Sequence, residues 1–288
     1  MKNKIIIMLL TVFFIPNFVS AKVINTYTNS NGIEMLDIDY INLLNLGFTE
    51  FEIENMTLDE FNNNHNLIGN VVSSETKYYK NVTRYGNNNN LISTDDYEIT
   101  LADYINGKKT NINLPRGNGY VETNYKKMTT QIIAITNKYR YKVTVEWKSI
   151  PSVRSYDIIG IGIDSNVVID SSITFQQDYC YSNGNCYSSN VSMVKTLSTG
   201  GGALFHLPSS SSVSSMSSYL YFNVNKKNIG STITSQHAYG DYAHAVKTTY
   251  TSYYDHFSVT SAGIILDATS VNSYDTMSSS IASWSGSW

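Results

Sequence analysis

Cysteine is nearly absent. The 288 residues include two, Cys180 and Cys186. Both lie far from the N-terminus, so the acylated cysteine of a lipoprotein is excluded. Basic charge is also scarce, with 20 Lys and Arg against 23 Asp and Glu and a net charge of −3. A mildly acidic chain has no electrostatic footprint for nucleic acid and no polybasic patch for anionic lipid. Beyond the first 21 residues no apolar run is long enough to cross a bilayer, so no integral membrane segment is expected. The G-x-S-x-G elbow of the serine hydrolases is missing, as is H-E-x-x-H. T-G-G-G at 199–202 lacks the lysine and the strand-to-helix setting of a phosphate loop. No metal and no cofactor is expected.

The N-terminus carries a clear signal. Lys2 and Lys4 precede the mainly apolar run Ile5–Phe14, and Val19-Ser20-Ala21 is a small-residue cleavage site. Residues 1–21 therefore read as a secretory signal peptide cleaved after Ala21. Its loss takes the charge from −3 to −5 through Lys2 and Lys4. The remainder is expected to be secreted.

Only 15% of the residues are charged, whereas Tyr is abundant at 23. Ser, Thr and Asn are abundant too, and this mixture suits an all-β extracellular protein. Residues 22–118 read as an N-terminal region with short helices at 35–66 and a hairpin. Asp37 is placed to cap the first helix, and Gly47 stands where a left-handed C-cap belongs. Thr49-x-x-Glu52 and Thr57-x-x-Glu60 are capping boxes. Residues 106–119, rich in Asn, Gly and Lys, read as a linker or exposed loop.

From Tyr120 the pattern turns to β. Tyr139, Tyr141, Val143, Val145 and Trp147 alternate with Arg140, Lys142, Thr144, Glu146 and Lys148. Period two over ten residues predicts a strand with one buried and one wet face. A hairpin joins it through Asn137-Lys138 to a preceding strand. Further short strands, broken by Gly, Ser and Asn, predict an antiparallel β-sandwich over 119–288, of jelly-roll or Ig-like type. The serine tract 209–218 reads as a mobile loop.

C-Y-S-N-G-N-C carries Asn183-Gly184, a hairpin signal. A two-residue turn there would leave the cysteines on opposite faces. A three-residue loop, Ser182-Asn183-Gly184 with a left-handed glycine, pairs Cys180 with Cys186. An oxidising environment favours that disulfide and hence that loop.

S-Q-H-A-Y-G-D-Y-A-H-A at 235–245 is the most chemical stretch. On a helix His237, Asp241 and His244 would share one face and could bind zinc. On a strand His237 and Asp241 lie on one face and His244 on the other. The β-rich flanks favour the strand, so no metal site is expected, and Gly240 is a candidate bulge. Asp255-His256 follows, and a neighbouring strand could bring it beside the cluster, with His206. Tyr250, Tyr253, Tyr254, Tyr274, Trp284 and Trp288 sit among hydroxyl residues and are candidate binding aromatics.

These observations point first to a non-catalytic binding or adhesion module for a cell-surface glycan or protein. One alternative is a secreted hydrolase built on His237, Asp241, His244, Asp255 and His256. A second is a β-type pore-forming or toxin-like protein, which requires a long amphipathic hairpin.

Overall fold

β-Branched and aromatic residues at two-residue spacing set a chain made mostly of strands. The structure, a computed structural model, describes residues 26–288. The expected signal at 1–21 lies outside the described residues. The described part opens with β1 (Thr26–Thr28) and β2 (Glu34–Leu36), then α1 (Asp37–Asn45), α2 (Glu50–Glu54) and α3 (Leu58–Asn64). Next come β3 (Gly69–Tyr85), β4 (Leu91–Ile99), α4 (Leu101–Asn106), β5 (Thr110–Asn113), β6 (Tyr120–Ile135) and β7 (Lys138–Trp147). β8 (Tyr156–Ile163), β9 (Val167–Ile169), β10 (Thr174–Tyr181), β11 (Cys186–Ser189), β12 (Met193–Leu197) and β13 (Gly200–His206) follow. The last strands are β14 (Val213–Lys226), β15 (Ser235–Ala245), β16 (Phe257–Thr260), β17 (Gly263–Leu266), β18 (Tyr274–Thr276) and β19 (Ser280–Ser285).

Sheet I runs β11-β10-β14-β7-β6-β3-β4, with β5 on β6 and β9 on β14. Sheet II runs β12-β13-β8-β15-β18, with β19 also on β15. All pairings are antiparallel. The two sheets pack face to face over one core that includes Met128, Ile132, Tyr141, Val143, Val145 and Trp147 from sheet I. Ile159, Ile161, Phe205, Ala238 and Tyr242 meet them from sheet II. The β-sandwich expected from the strand pattern is thus present. The expected division at 118/119 falls between β5 and β6, which pair with each other, and β3 pairs with β6 along its whole length. Sheet I therefore runs across that position.

The sandwich has two further covers. Leu43, Leu46, Phe48, Ile53, Met56 and Phe61 of the helical segment pack on Ile133, Ile135, Tyr219 and Tyr221, on the outer face of sheet I. Phe257, Val259 and Ile264 of the β16–β17 hairpin pack on Ile158, Leu204, Ala243 and Ala245, on the outer face of sheet II. This arrangement corrects the expectation that β7 has a wet face. Arg140, Lys142 and Thr144 are 3%, 0% and 3% exposed. The helical layer lies over them, a long-range contact that period two cannot register.

Local signals fared unevenly. Gly47 adopts φ +78° at the end of α1, and Thr49 and Glu52 form the reciprocal cap of α2. Thr57 caps α3 through the Glu60 amide. Leu36 rather than Asp37 precedes α1, with Asp39 accepting from its amide. The β6–β7 turn is Thr136-Asn137, since Ile135 pairs with Lys138. Residues 106–119, expected as a loop, contain β5, an exposed edge strand. The serine tract is corrected too. Val213 to Ser218 open β14, which lies between β10 and β7, and Val213, Met216, Ser217 and Ser218 are buried. Serine is small enough to sit between neighbouring strands; Ser218 accepts from Gln177 at 3.4 Å, whereas the Ser217 hydroxyl is buried without a hydrogen-bond partner.

Candidate functional site

The 235–245 stretch is β15, a strand paired on both edges. Its register shows no bulge. Gly240 has a different reason to be glycine: a Cβ there would lie 2.0 Å from Thr130 Oγ1 of β6 and 2.9 Å from Val143 Cγ2 of β7, across the inter-sheet space. His237 and His244 consequently point to opposite faces.

Outward, His237 meets Asp164. The carboxylate accepts from the His237 backbone at 2.8 Å, lies 2.9 Å from its Nδ1, and accepts from the Tyr239 hydroxyl at 3.0 Å. Asp241, also outward, is buried. It accepts from the amides of Tyr242 and Ile264, both at 2.7 Å, and so pins the β16–β17 hairpin to sheet II. Burial pushes its carboxyl up to about 7, although both amides pull the other way. Gly263, φ +90°, leaves room for that carboxylate, since a Cβ would stand 2.1 Å from Asp241 Oδ2.

Inward, His244 joins a buried polar seam between the sheets. Its Nδ1 lies 3.0 Å from Asp157 Oδ2, and its ring meets Trp147 edge-on at 4.9 Å. Asp157 also accepts from the Tyr242 hydroxyl and from the Ala245 amide. Tyr242 in turn accepts from the Trp147 indole at 3.1 Å. Burial drives the His244 ring toward the neutral form, but Asp157 outweighs it and the pKa rises. The seam continues to Lys126 of β6, whose Nζ is 2.8 Å from Asp275 Oδ2 and 3.8 Å from Asp96 Oδ1. Asn81 of β3 donates to both carboxylates, at 3.0 and 3.2 Å. Sequence reasoning missed Lys126, Asp157, Asp96, Asn81 and Asp275. One signal was available: Lys126 shares its alternation face with Met128, Thr130 and Ile132.

His256 stands apart, in the 3-10 turn Thr251–His256. Thr269 Oγ1 and Asp267 Oδ2 both lie 2.9 Å from its Nδ1. A nucleophile-base-acid relay needs the acid and the nucleophile on different ring nitrogens. Asp255 is exposed in the same turn. His206 packs edge-on against Tyr156 and is itself exposed. The structure therefore distributes the candidate residues over separate places. Among the described residues no group of three or more His, Cys, Asp and Glu is arranged to hold a metal ion.

The Cys180–Cys186 disulfide is formed. Cys180 pairs with Cys186 across β10 and β11, Gly184 takes φ +88°, and the Tyr181 amide donates to Asn185 at 2.9 Å. The three-residue loop is thus the one present.

The aromatic candidates divide. Tyr274 is buried. Tyr253 lies near the Ser273 hydroxyl, and Tyr254 donates to the Val194 carbonyl. Tyr250 is 64% exposed. Trp284 and Trp288 are half-buried against Tyr139, with ring centroids at 5.2 and 4.7 Å. Trp288 is held by paired backbone bonds to Ile233. Beside it opens a cleft of about 370 Å³ lined by Asn137, Asn225, Lys226, Ile229 and Trp288. At the opposite end of β7 and β14 lies a second cleft, of about 450 Å³. Lys108, Lys109, Lys148 and Arg154 converge there with Ser211 and Ser214. Lys148 donates to the carbonyls of Tyr104 and Ile105, and Arg154 to those of Ser209 and Ser210. Sequence reading missed this cluster because its cations come from three separate segments.

No family model matches the chain, and no curated protein matches it. Among solved structures, the chain is similar to BcpA, the major pilin subunit of Bacillus cereus, at 10% identity with a TM-score of 0.28. That match covers 59% of each chain, so the chain spans about three-fifths of the length of that pilin. A second likeness is to a structure of manganese lipoxygenase of Gaeumannomyces graminis with part of zonadhesin of Komagataella pastoris, at 6% identity. It covers 77% of this chain and 90% of that one, with a TM-score of 0.24. Neither likeness carries an argument about function. No described helix is long and apolar enough to cross a membrane.

Proposed function

We propose that this chain is an exported, non-catalytic binding module for a cell-surface glycan or protein. The observation that carries the reading is the cleft at Trp288. A half-buried indole, fixed through its backbone, stands beside the amides of Asn137 and Asn225 and the ammonium of Lys226. An aromatic face flanked by donors and acceptors suits a sugar ring, with its apolar C–H face and its rim of hydroxyls. The disulfide fits an oxidising, extracellular setting. A glycan array with the purified chain tests the proposal. Retained sugars whose capture is abolished by Trp288→Ala support it, and an array with no retained sugar removes the glycan arm and leaves a protein partner.

The opposite cleft favours a second reading, in which the partner is acidic: Lys109 is paired with Glu122 at 3.1 Å, and Lys108, Lys148 and Arg154 carry the remaining positive charge. On the same array, Lys108→Glu, at an exposed position, then sharply reduces capture, and binding falls steeply with salt.

A further inference from the structure

Among the described residues two lysines, Lys126 and Lys142, are fully buried, and they differ in one chemical respect. Lys142 Nζ has a hydrogen-bond acceptor for each of its three protons: Gly47 O at 2.9 Å, Glu52 Oε2 at 2.7 Å and Thr144 Oγ1 at 2.9 Å. Lys126 Nζ has one acceptor at hydrogen-bond distance, Asp275 Oδ2 at 2.8 Å. Its other neighbours are Asp96 Oδ1 at 3.8 Å and the rings of Trp147 and Tyr242, at 4.9 and 5.7 Å to their centroids. The lysine and Asp275 belong to opposite sheets and are sealed from water, at 0% and 2% exposure.

We propose that Lys126 and Asp275 condense to an intramolecular isopeptide bond that ties β6 of sheet I to β18 of sheet II.

The step balances without any co-reactant. In the resting pair burial disfavours the ammonium, while Asp275, Asp96 and Asp157 hold it charged. One proton passes from Nζ to the Asp275 carboxylate and leaves a free amine against a neutral acid. The net charge is unchanged; the neighbouring carboxylates keep the ammonium as the resting form, and the water-free surroundings lower the cost of reaching the neutral pair from which attack proceeds. The Nζ lone pair then attacks Cγ of Asp275. The C–N bond forms, one C–O bond breaks, and the oxygen departs as water with the hydroxyl proton and one proton from Nζ. Asp96 is the proton carrier: its carboxyl is close to Nζ, and burial followed by the Asp275 charge raises it to about 6. Asn81 orients the electrophile, since its Nδ2 donates to Asp275 Oδ2 at 3.0 Å and is held by Asp96 and Thr94. The backbone amide of His244 donates to Asp275 Oδ1 at 2.8 Å and supports the charge that builds on oxygen during attack. Holding the reacting groups in contact replaces an encounter that would be hopelessly slow in water.

Tryptic peptides of the folded full chain, analysed by tandem mass spectrometry, test this. The expected product is a branched pair, the peptide carrying Asp275 joined to one carrying Lys126, lighter by one water and uncleaved after Lys126. Lys126→Met and Asp275→Ala should give only linear peptides. Asp96→Asn, which keeps the Asn81 contact with an amide oxygen, should leave a slow-forming mixture. Because the wild-type chain is read directly, poor folding of a variant does not blunt the test. Wild-type peptides that are all linear and cut after Lys126 overturn the proposal. So does a branch that has lost ammonia and maps to Asn81.

Discussion

Lys142 and Lys126 lie on neighbouring strands of one sheet and face opposite ways, and the molecule treats them differently. Lys142 points into the helical layer. There the glutamate of the α2 cap, Glu52, serves twice, accepting from the Thr49 amide at 2.7 Å and from Lys142 at 2.7 Å. Thr144 donates to its other oxygen at 2.8 Å. That charge is fully partnered and anchors a layer. Lys126 points into the seam between the sheets, where aromatic rings occupy the places that acceptors would fill. Burial alone therefore does not separate a structural lysine from one poised for chemistry. The number of occupied donors does.

The largest expected effect breaks the closed site. Glu52→Ala should cost about 3–5 kcal/mol, because it strands a buried ammonium. Chemical denaturation reads the loss, and Glu52→Leu combined with Lys142→Met should recover most of it, since an apolar pair leaves no charge to satisfy. A double variant as unstable as the single would show that the helical layer depends on the charges themselves.

Asp241 probes the other cover. The native state keeps its proton up to about pH 7, whereas an unfolded Asp releases its proton near pH 3.9. Between those values the native state binds more protons, so the Asp241 contribution weakens stability as pH rises from about 4 to about 7 and is constant on either side. Asp241→Asn should flatten that slope in melting-temperature profiles, at the cost of one accepted amide bond. A slope unchanged by the substitution would place the titration elsewhere.

Smaller still is the disulfide. Cys180→Ser with Cys186→Ser should cost about 2 kcal/mol, because the closed loop is short. Sheet I is anchored by the β10–β14 and β14–β7 ladders and not by the hairpin tip. Smallest is Trp288→Ala, which should change the melting temperature by only a few degrees, since the indole is half-buried, yet remove sugar capture on the array. Loss of capture together with a collapse in stability would make Trp288 a packing residue.

Much of the sandwich was legible. Period two placed Tyr139, Tyr141, Val143, Val145 and Trp147 on one face, and all five belong to the inter-sheet core. The cysteine spacing selected the correct loop, and strand alternation separated His237 from His244. What stayed hidden depends on contacts distant in sequence. Nothing near Lys142 announces that Glu52, 90 positions away, will cover it. Nor does the stretch around Asp157 reveal that it will meet His244, 87 positions later. Serine-rich composition misled for 213–218, because small hydroxyl residues look like a loop until neighbouring strands bury them.

Amine acylation of every lysine, mapped by mass spectrometry on native and on denatured chain, tests the contrast between the two lysines most directly. In the native protein Lys126 and Lys142 should both resist while exposed Lys108 and Lys227 react; after denaturation Lys142 should react fully and Lys126 should remain blocked. Native labelling of Lys142, or ready labelling of denatured Lys126, would contradict the account.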